Sequence, residues 1–420
     1  MANEKPISVT PWLSRALHRI RTTPPRIIAS PRTQPRRAAV AILIRIVPGS
    51  SCPPPAAQAA QPSLSDFFQQ EWVNAPDAQA EILFLKRDAP SPEETVISQP
   101  RIGRNEAHVA FPGGRTEPDD EGGMYTALRQ TWEEIGIDLA EKNYMCIGQL
   151  DDREITTSLG KRLLMILSPF VFLQVTPQAP PPDPVPSTTL HWTPLASLVS
   201  PQNPPKWSTV TVDAASRLAP RHSVALKLLV RVLVGSMEFP AIVIEPSSST
   251  PTSQTSNVLK LWGLSLGMTL DLMSYMIIPT KESHSYCQPS LADIRVAGNL
   301  PKESRASTPL GNVMQLPYHT PESLRMEVVA PSLASVFPRF SYPDVNFWIW
   351  VFGKRYREVV RGWEASIRSG GVNDRRINWS GQALSTFYAS IRKALVVVIV
   401  ARALAIIFGL VLAGWWIFSS

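Results

Sequence analysis

The run ALVVVIVARALAIIFGLVLAGWWIF, residues 394–418, constrains this chain most, because so apolar a segment has few stable environments. At about 1.5 Å of rise per residue, its length as a helix matches a hydrocarbon layer about 30 Å thick. Two readings are open: a transmembrane helix, or the core helix of a large domain. Arg402 is the charge within the run, close enough to its start to snorkel toward headgroups and leave 403–418 as the dry part. Trp415 and Trp416 stand near the far end, where an interfacial aromatic belt belongs. Arg392 and Lys393 precede the run, and that charge bias favours a cytosolic body. Ser419 and Ser420 follow, so the expectation is a single-pass C-terminal anchor in contact with membrane lipid. The anchor suits the endoplasmic reticulum or the outer mitochondrial membrane.

Upstream, apolar runs alternate between strand and helix character. Residues 38–47 (AAVAILIRIV) and 80–87 (AEILFLKR) read as strands. So does 163–175, with a bend expected at Pro169. Residues 189–199 read as a strand followed by a short helix, 223–235 as a helix, and 239–245 as a strand. Residues 259–277 carry a helical period and close the domain. Alternation through 38–280 argues a layered α/β domain.

Proline, 41 of 420 residues, gathers in stretches such as PQAPPPDPVPS (177–187), which must be irregular because proline donates no N–H. The proline-bearing segment 281–330 is expected as a linker, and 331–392 as an amphipathic helical region that covers the domain or lies on a membrane. The net charge of +7 is concentrated early: the first 46 residues hold nine basic residues against Glu4. Residues 1–35 are therefore expected as a basic, disordered arm, suited to lipid, nucleic acid or an import receptor. Its arginines also open a mitochondrial interior as the alternative location. No aromatic-rich motif supports nucleic-acid binding, which is not expected. Cys52, Cys146 and Cys287 form no CxxC pair, so neither a disulfide framework nor a zinc site is indicated.

The stretch AFPGGRTEPDDEGGMYTALRQTWEEIGID, residues 110–138, carries the chemistry. Met124 to Ile135 lacks proline and glycine, so a helix is expected there. On it Gln130 and Glu134 stand at i,i+4, with Glu133 three residues after Gln130. Crowded carboxylates repel unless a cation sits between them. Hard oxygen ligands and an incomplete cage suit Mg²⁺ or Mn²⁺, with phosphate oxygens completing the shell. Gly113 and Gly114 let the backbone approach closely. The plain alternative is a solvated acidic face ended by Gly136.

The full spacing resembles the Nudix box, G-x5-E-x7-R-E-U-x-E-E-x-G-U, where U is a bulky aliphatic residue. Gly114 leads, followed by Asp120 and Glu121, then Arg129, Glu133, Glu134, Gly136 and Ile137. The segment from Gly114 to Arg129 is one residue longer than the general pattern. That insertion, with FPGGR, is similar to the branch that hydrolyses coenzyme A and its acyl derivatives. RRAAVAILIR, ILFLKR, SPFVFL, LHWTPLASL and LWGLSLGMTLDL resemble further segments of that branch in the same order.

The resemblance implies a Nudix-type α/β/α sandwich with a mixed sheet over 36–280, then the helical C-terminal region and the single transmembrane helix. It implies divalent-metal-dependent hydrolysis of a nucleoside diphosphate derivative, with coenzyme A giving 3′,5′-ADP and 4′-phosphopantetheine. Gly114, Glu133 and Glu134 would ligate Mg²⁺ or Mn²⁺. Arg129 would pair with Asp120 or Glu121 and hold the loop to the helix. Lys86, Arg87, Gly113 and Arg115 would contact the nucleotide substrate. Two departures stand out. Gln130 replaces a metal-binding glutamate that helps activate water, and an amide takes no proton at neutral pH. Thr131 is polar where U is expected. Asp151, Asp152 or Glu154 could then supply the base. Otherwise the chain is a membrane-tethered nucleotide-binding module with a degenerate site. ADP-ribose and dinucleoside polyphosphates are alternative substrates.

Overall fold

A computed structural model describes residues 9–30, 36–54, 61–87, 106–156, 163–199, 205–214, 224–245, 258–276, 338–359 and 384–419. The linker expected over 281–330 lies outside the described residues. The chain divides into two compact units. One comprises Met1–Met276 with Leu324–Ser341, the other Ile277–Ser323 with Tyr342–Ser420.

The first unit is built on a mixed sheet. Strand β1 (Arg37–Val47) lies at its centre, because AAVAILI can be buried on both faces. It runs parallel to β7 (Leu163–Gln174), from Arg37 opposite Ile166 to Ile44 opposite Leu173. It runs antiparallel to β2 (Gln79–Arg87) and to β4 (Gly113–Arg115). Beyond β2 come β3 (Glu106–Ala110) and β8 (Thr188–Pro194). Beyond β7 come β5 (Tyr144–Gln149) and β6 (Arg153–Thr156). Strand β3 leads in parallel to β11 (Val258–Trp262), which pairs with β10 (Ser236–Ile244). Strands β9 (Trp207–Asp213) and β12 (Arg339–Phe340) both pair with β10.

The helices of this unit are α1 (Thr10–Thr22), α2 (Leu64–Gln69), α3 (Gly123–Ile135), α4 (Leu195–Val199), α5 (Val224–Val234) and α6 (Gly263–Ser274). Helix α3 packs on β1 through Ala127 and Ile135, which join a core with Ala39, Leu43, Leu83, Leu85 and Phe172. At about 25 cal/mol per Å² of apolar surface, such burial is what fixes the helix on the sheet.

Three expectations change. The basic start is not an arm throughout. Thr10–Thr22 is helical, with Leu13, Ala16, Leu17 and Ile20 buried at helical spacing, while its basic residues take the other positions. Arg19 donates to the Tyr275 carbonyl at 3.1 Å, and Arg26 donates its backbone N–H to Asp151 at 2.9 Å. The folded domain thus starts well before residue 36. Second, residues 259–277 are not one helix: β11 gives way to α6 at Gly263, whose φ of 60° is the left-handed turn that glycine tolerates. Third, β7 runs on through Pro169, whose carbonyl accepts from the Leu150 N–H at 2.9 Å.

The second unit contains α7 (Pro343–Phe352) and α8 (Leu384–Ser419). Val345 and Ile349 of α7 are buried, as are Phe387, Ile391, Ala394, Leu395 and Val398 of α8, a three-and-four spacing that makes one packing face. Ser390 donates its hydroxyl to the Phe352 carbonyl at 3.1 Å. Among the described residues, α8 is the helix long and apolar enough to cross a membrane.

Candidate functional site

The glycine turn and α3 meet because β4 pairs with the edge of β1. Gly113 has φ of 151°, and a Cβ there would lie 2.4 Å from the Ala39 carbonyl oxygen, so the backbones touch where only glycine fits. A Cβ on Gly114 would lie 2.0 Å from Oε1 of Gln130. The bare backbone at 114 is therefore the surface on which the Gln130 amide rests.

Arg129 fastens the intervening loop to the helix. Its Nε and one terminal nitrogen donate to the two oxygens of Asp120, each at 2.8 Å, and it donates to the Arg115 carbonyl at 3.3 Å. The Asp120 side chain is 2% exposed. It also accepts from the Glu117 N–H and the Thr126 hydroxyl, both at 2.9 Å. Hydrogen bonds from Arg129, then from Glu117 and Thr126, hold the Asp120 carboxyl well below the usual carboxylate range. Asp120 in turn raises the Arg129 guanidinium above its ordinary value.

The two glutamates are held by different cations. Glu133 accepts from Arg129 at 3.1 Å through each oxygen, and from the Gln130 amide at 3.0 Å. Glu134 is gripped by Arg87 at the end of β2, through a close Nε contact and a second bond of 2.7 Å. Arg87 also donates to the Phe111 carbonyl at 3.4 Å, which braces the glycine turn against the helix. The structure thus gathers Gly113, Gly114, Arg115, Arg129, Gln130 and Glu133, and brings Arg87 in through Glu134. Lys86 is not brought to that cluster. As Arg87's neighbour on a strand it takes the opposite face, where it lies across from Thr189.

The end of α3 has support that sequence reasoning missed. Gly136 takes the left-handed conformation with φ of 67°, and its N–H closes onto the Trp132 carbonyl. Asp183 and Val185 then donate their backbone N–H groups to the carbonyls of Ile135 and Glu134, at 2.9 and 3.1 Å. The proline-rich segment 177–187 therefore satisfies helix carbonyls that would otherwise lack partners. No sequence signal distinguishes those amides from others in the loop. Thr131, polar where an aliphatic residue was expected, is buried and returns its hydroxyl to the Ala127 carbonyl at 2.7 Å.

Two of the carboxylates considered as substitute bases, Asp152 and Asp151, are engaged within the fold. The Asp152 side chain is fully buried and accepts from the Ile28 N–H, Arg37, Gln149 and Ser168, at 2.7 to 2.9 Å. Asp151 holds the Arg26 N–H. Both clasp the segment after α1.

Gly114, Gln130, Glu133 and Glu134 offer hard oxygen donors, the type that Mg²⁺ or Mn²⁺ takes. The fit is in kind, with two carboxylates and an amide in place of three carboxylates. Among the described residues no group of three or more histidine, cysteine or acidic side chains comes together as metal ligands.

No family model matches the chain. It is 28% identical over 269 residues to an uncharacterised protein of Schizosaccharomyces pombe, covering 63% of this chain and 72% of that one. It is 38% identical over 76 residues to the mitochondrial coenzyme A diphosphatase NUDT8 of Mus musculus. It is 39% identical over 57 residues to the Homo sapiens protein of the same name. These two matches take in 18% and 14% of this chain, and the chain spans only 36% and 24% of the relatives' lengths. A crystal structure of a MutT/nudix family protein from Enterococcus faecalis aligns over 57% of this chain and 60% of its own, at 12% identity and a TM-score of 0.22.

Proposed function

We propose that this chain, similar over its box segment to the coenzyme A diphosphatase-like branch of the Nudix family, hydrolyses the diphosphate bridge of coenzyme A or an acyl derivative. The products would be 3′,5′-ADP and (acyl-)4′-phosphopantetheine. One observation supports this reading most. The Gly114 backbone, Gln130 and Glu133 converge on one patch, held there by the Arg129–Asp120 clamp. Gly114, Gln130, Glu133 and Glu134 would hold Mg²⁺ or Mn²⁺. When bound, such a cation supplies charge to stabilise phosphoryl oxygens and to acidify water.

The chain's own residues have separate tasks. Arg129 keeps the turn on the helix. Arg87 keeps Glu134 beside Phe111 and, being 44% exposed, can reach a phosphate once that carboxylate is engaged elsewhere. Arg115 stands exposed at the end of β4, on the same turn. Gln130 neither accepts a proton nor adds charge, so turnover is expected to be slow.

A second reading has its own observation behind it. The Gln130 amide donates to Glu133, using a carboxylate oxygen that a cation would need. On that reading the chain binds a nucleotide without turning it over. In both readings α8 tethers a cytosolic body to the endoplasmic reticulum or outer mitochondrial membrane.

The purified full chain, assayed with coenzyme A, ADP-ribose and diadenosine polyphosphates with and without chelator, tests the proposal. Chelator-sensitive release of 3′,5′-ADP is expected, and Glu134→Gln should lower it on the order of 10²-fold. Gln130→Glu should raise turnover by about 10² or more if the amide limits proton transfer. Nucleotide binding with no product from either the wild type or Gln130→Glu selects the second reading.

A further inference from the structure

The sequence alone leaves the start of the membrane span open between residue 394 and Arg402. The second unit speaks to it. Helix α7 packs along the first turns of α8, where Phe387, Ile391, Ala394, Leu395 and Val398 are buried, Phe387 against the Tyr356 ring that follows α7. The first two turns of the apolar run are therefore packed on protein along one face. At Arg402 that cover ends. One Arg402 nitrogen donates to both oxygens of Asp344, at 2.8 and 2.6 Å, and the guanidinium sits over the Tyr342 ring, 4.4 Å from its centroid. Beyond it, no residue from Ala403 to Ile417 is buried.

We infer that the Arg402–Asp344 pair, with Tyr342 against it, marks the headgroup level of the bilayer, so that the embedded span is 403–417. This rests on the membrane reading of α8 and is separate from the chemistry proposed for the first unit. The pair keeps partial exposure, with side chains 25% and 44% exposed. Charges stay at a water boundary in preference to hydrocarbon. Tyr342 supplies an interfacial aromatic at that level, and Trp415 and Trp416 supply one at the other end. The helix between these levels is about 20 Å long at 1.5 Å per residue. That is shorter than a typical core of about 30 Å, so the bilayer thins around it. Val396, Ile399 and Val400, exposed on the first turns, then lie at the headgroup boundary and not in the hydrocarbon.

The full chain, inserted into preformed phosphatidylcholine vesicles, carries single cysteines by Ile399→Cys, Leu404→Cys or Ile407→Cys. Labelling by a membrane-impermeant maleimide is read peptide by peptide, so the native cysteines stay. The expected result is labelling at 399 and its loss at 404 and 407. In an Asp344→Leu, Arg402→Leu background, labelling at 399 should also be lost as the helix sinks. The charge swap Asp344→Arg with Arg402→Asp should keep the wild-type pattern, which separates the pair from a lone snorkelling arginine. Protection at 399 in the wild type overturns the inference and leaves the anchor standing. So does a double-leucine pattern identical to wild type. Labelling at all three positions overturns the inference and the membrane reading together. None of these outcomes touches diphosphatase activity.

Discussion

Asp152 and Glu134 are both carboxylates met by an arginine from a neighbouring strand, yet they stand in opposite circumstances. Asp152 is fully buried and takes donors from the segment after α1, from β1, β5 and β7. Every lone pair it offers is answered from within, and nothing is left for a ligand. Glu134 keeps 15% exposure and, among the described residues, is held by Arg87, itself 44% exposed; Glu133 beside it is 52% exposed. A buried carboxylate with full satisfaction is a strut. A partly exposed one, whose partner stands in solvent, can trade that partner for another. Burial and partner count, more than charge, separate the two.

The comparison can be broken most decisively at Asp152. Asp152→Ala removes the carboxylate that Arg37 and the Ile28 N–H share and should cost about 3 kcal/mol in unfolding free energy, read by denaturant titration. A loss under about 1 kcal/mol would put Asp152 in the same class as a surface pair.

Acid sharpens the contrast through Asp120. Its carboxyl is depressed by Arg129, so its contribution is complete above about pH 4 and is lost as pH falls through the lowered value. Thermal unfolding followed from pH 6 downward should show Asp120→Asn less acid-sensitive than wild type in that window. Glu134→Gln, by contrast, should shift stability by less than about 1 kcal/mol while turnover collapses. Thr131→Val should move least: losing the bond to Ala127 is offset by removing a buried hydroxyl, for a change within about 1 kcal/mol.

Much of this frame was legible beforehand. Strands β1, β2, β7 and β8 with α4 announce themselves as runs of β-branched and aromatic residues between proline or polar breaks. The box spacing points to Gly114, Arg129, Glu133 and Glu134. Helix α1 was hidden by its company. Leu13, Ala16, Leu17 and Ile20 carry a clear helical period, but proline and arginine around them gave the segment the look of a tail. The β11–α6 break was hidden because both halves are apolar, and only Gly263 marks it. Pairings such as Arg87 with Glu134, or Asp152 with Arg37, join residues 47 and 115 positions apart, and only a tertiary arrangement sets them. Local pattern reports which face is apolar; it does not report which guanidinium arrives beside which carboxylate.

The two amides that Asp183 and Val185 lend to the last turn of α3 bear on how this protein can change over time. A stretch so rich in proline looks tolerant of added or deleted residues, as surface loops usually are. Here its length is set by the reach from those amides to the backbone of Ile135 and Glu134. An insertion on either side of Asp183 would tug on the turn that carries Glu134, so lineages that keep this acidic residue in place should also keep that spacing.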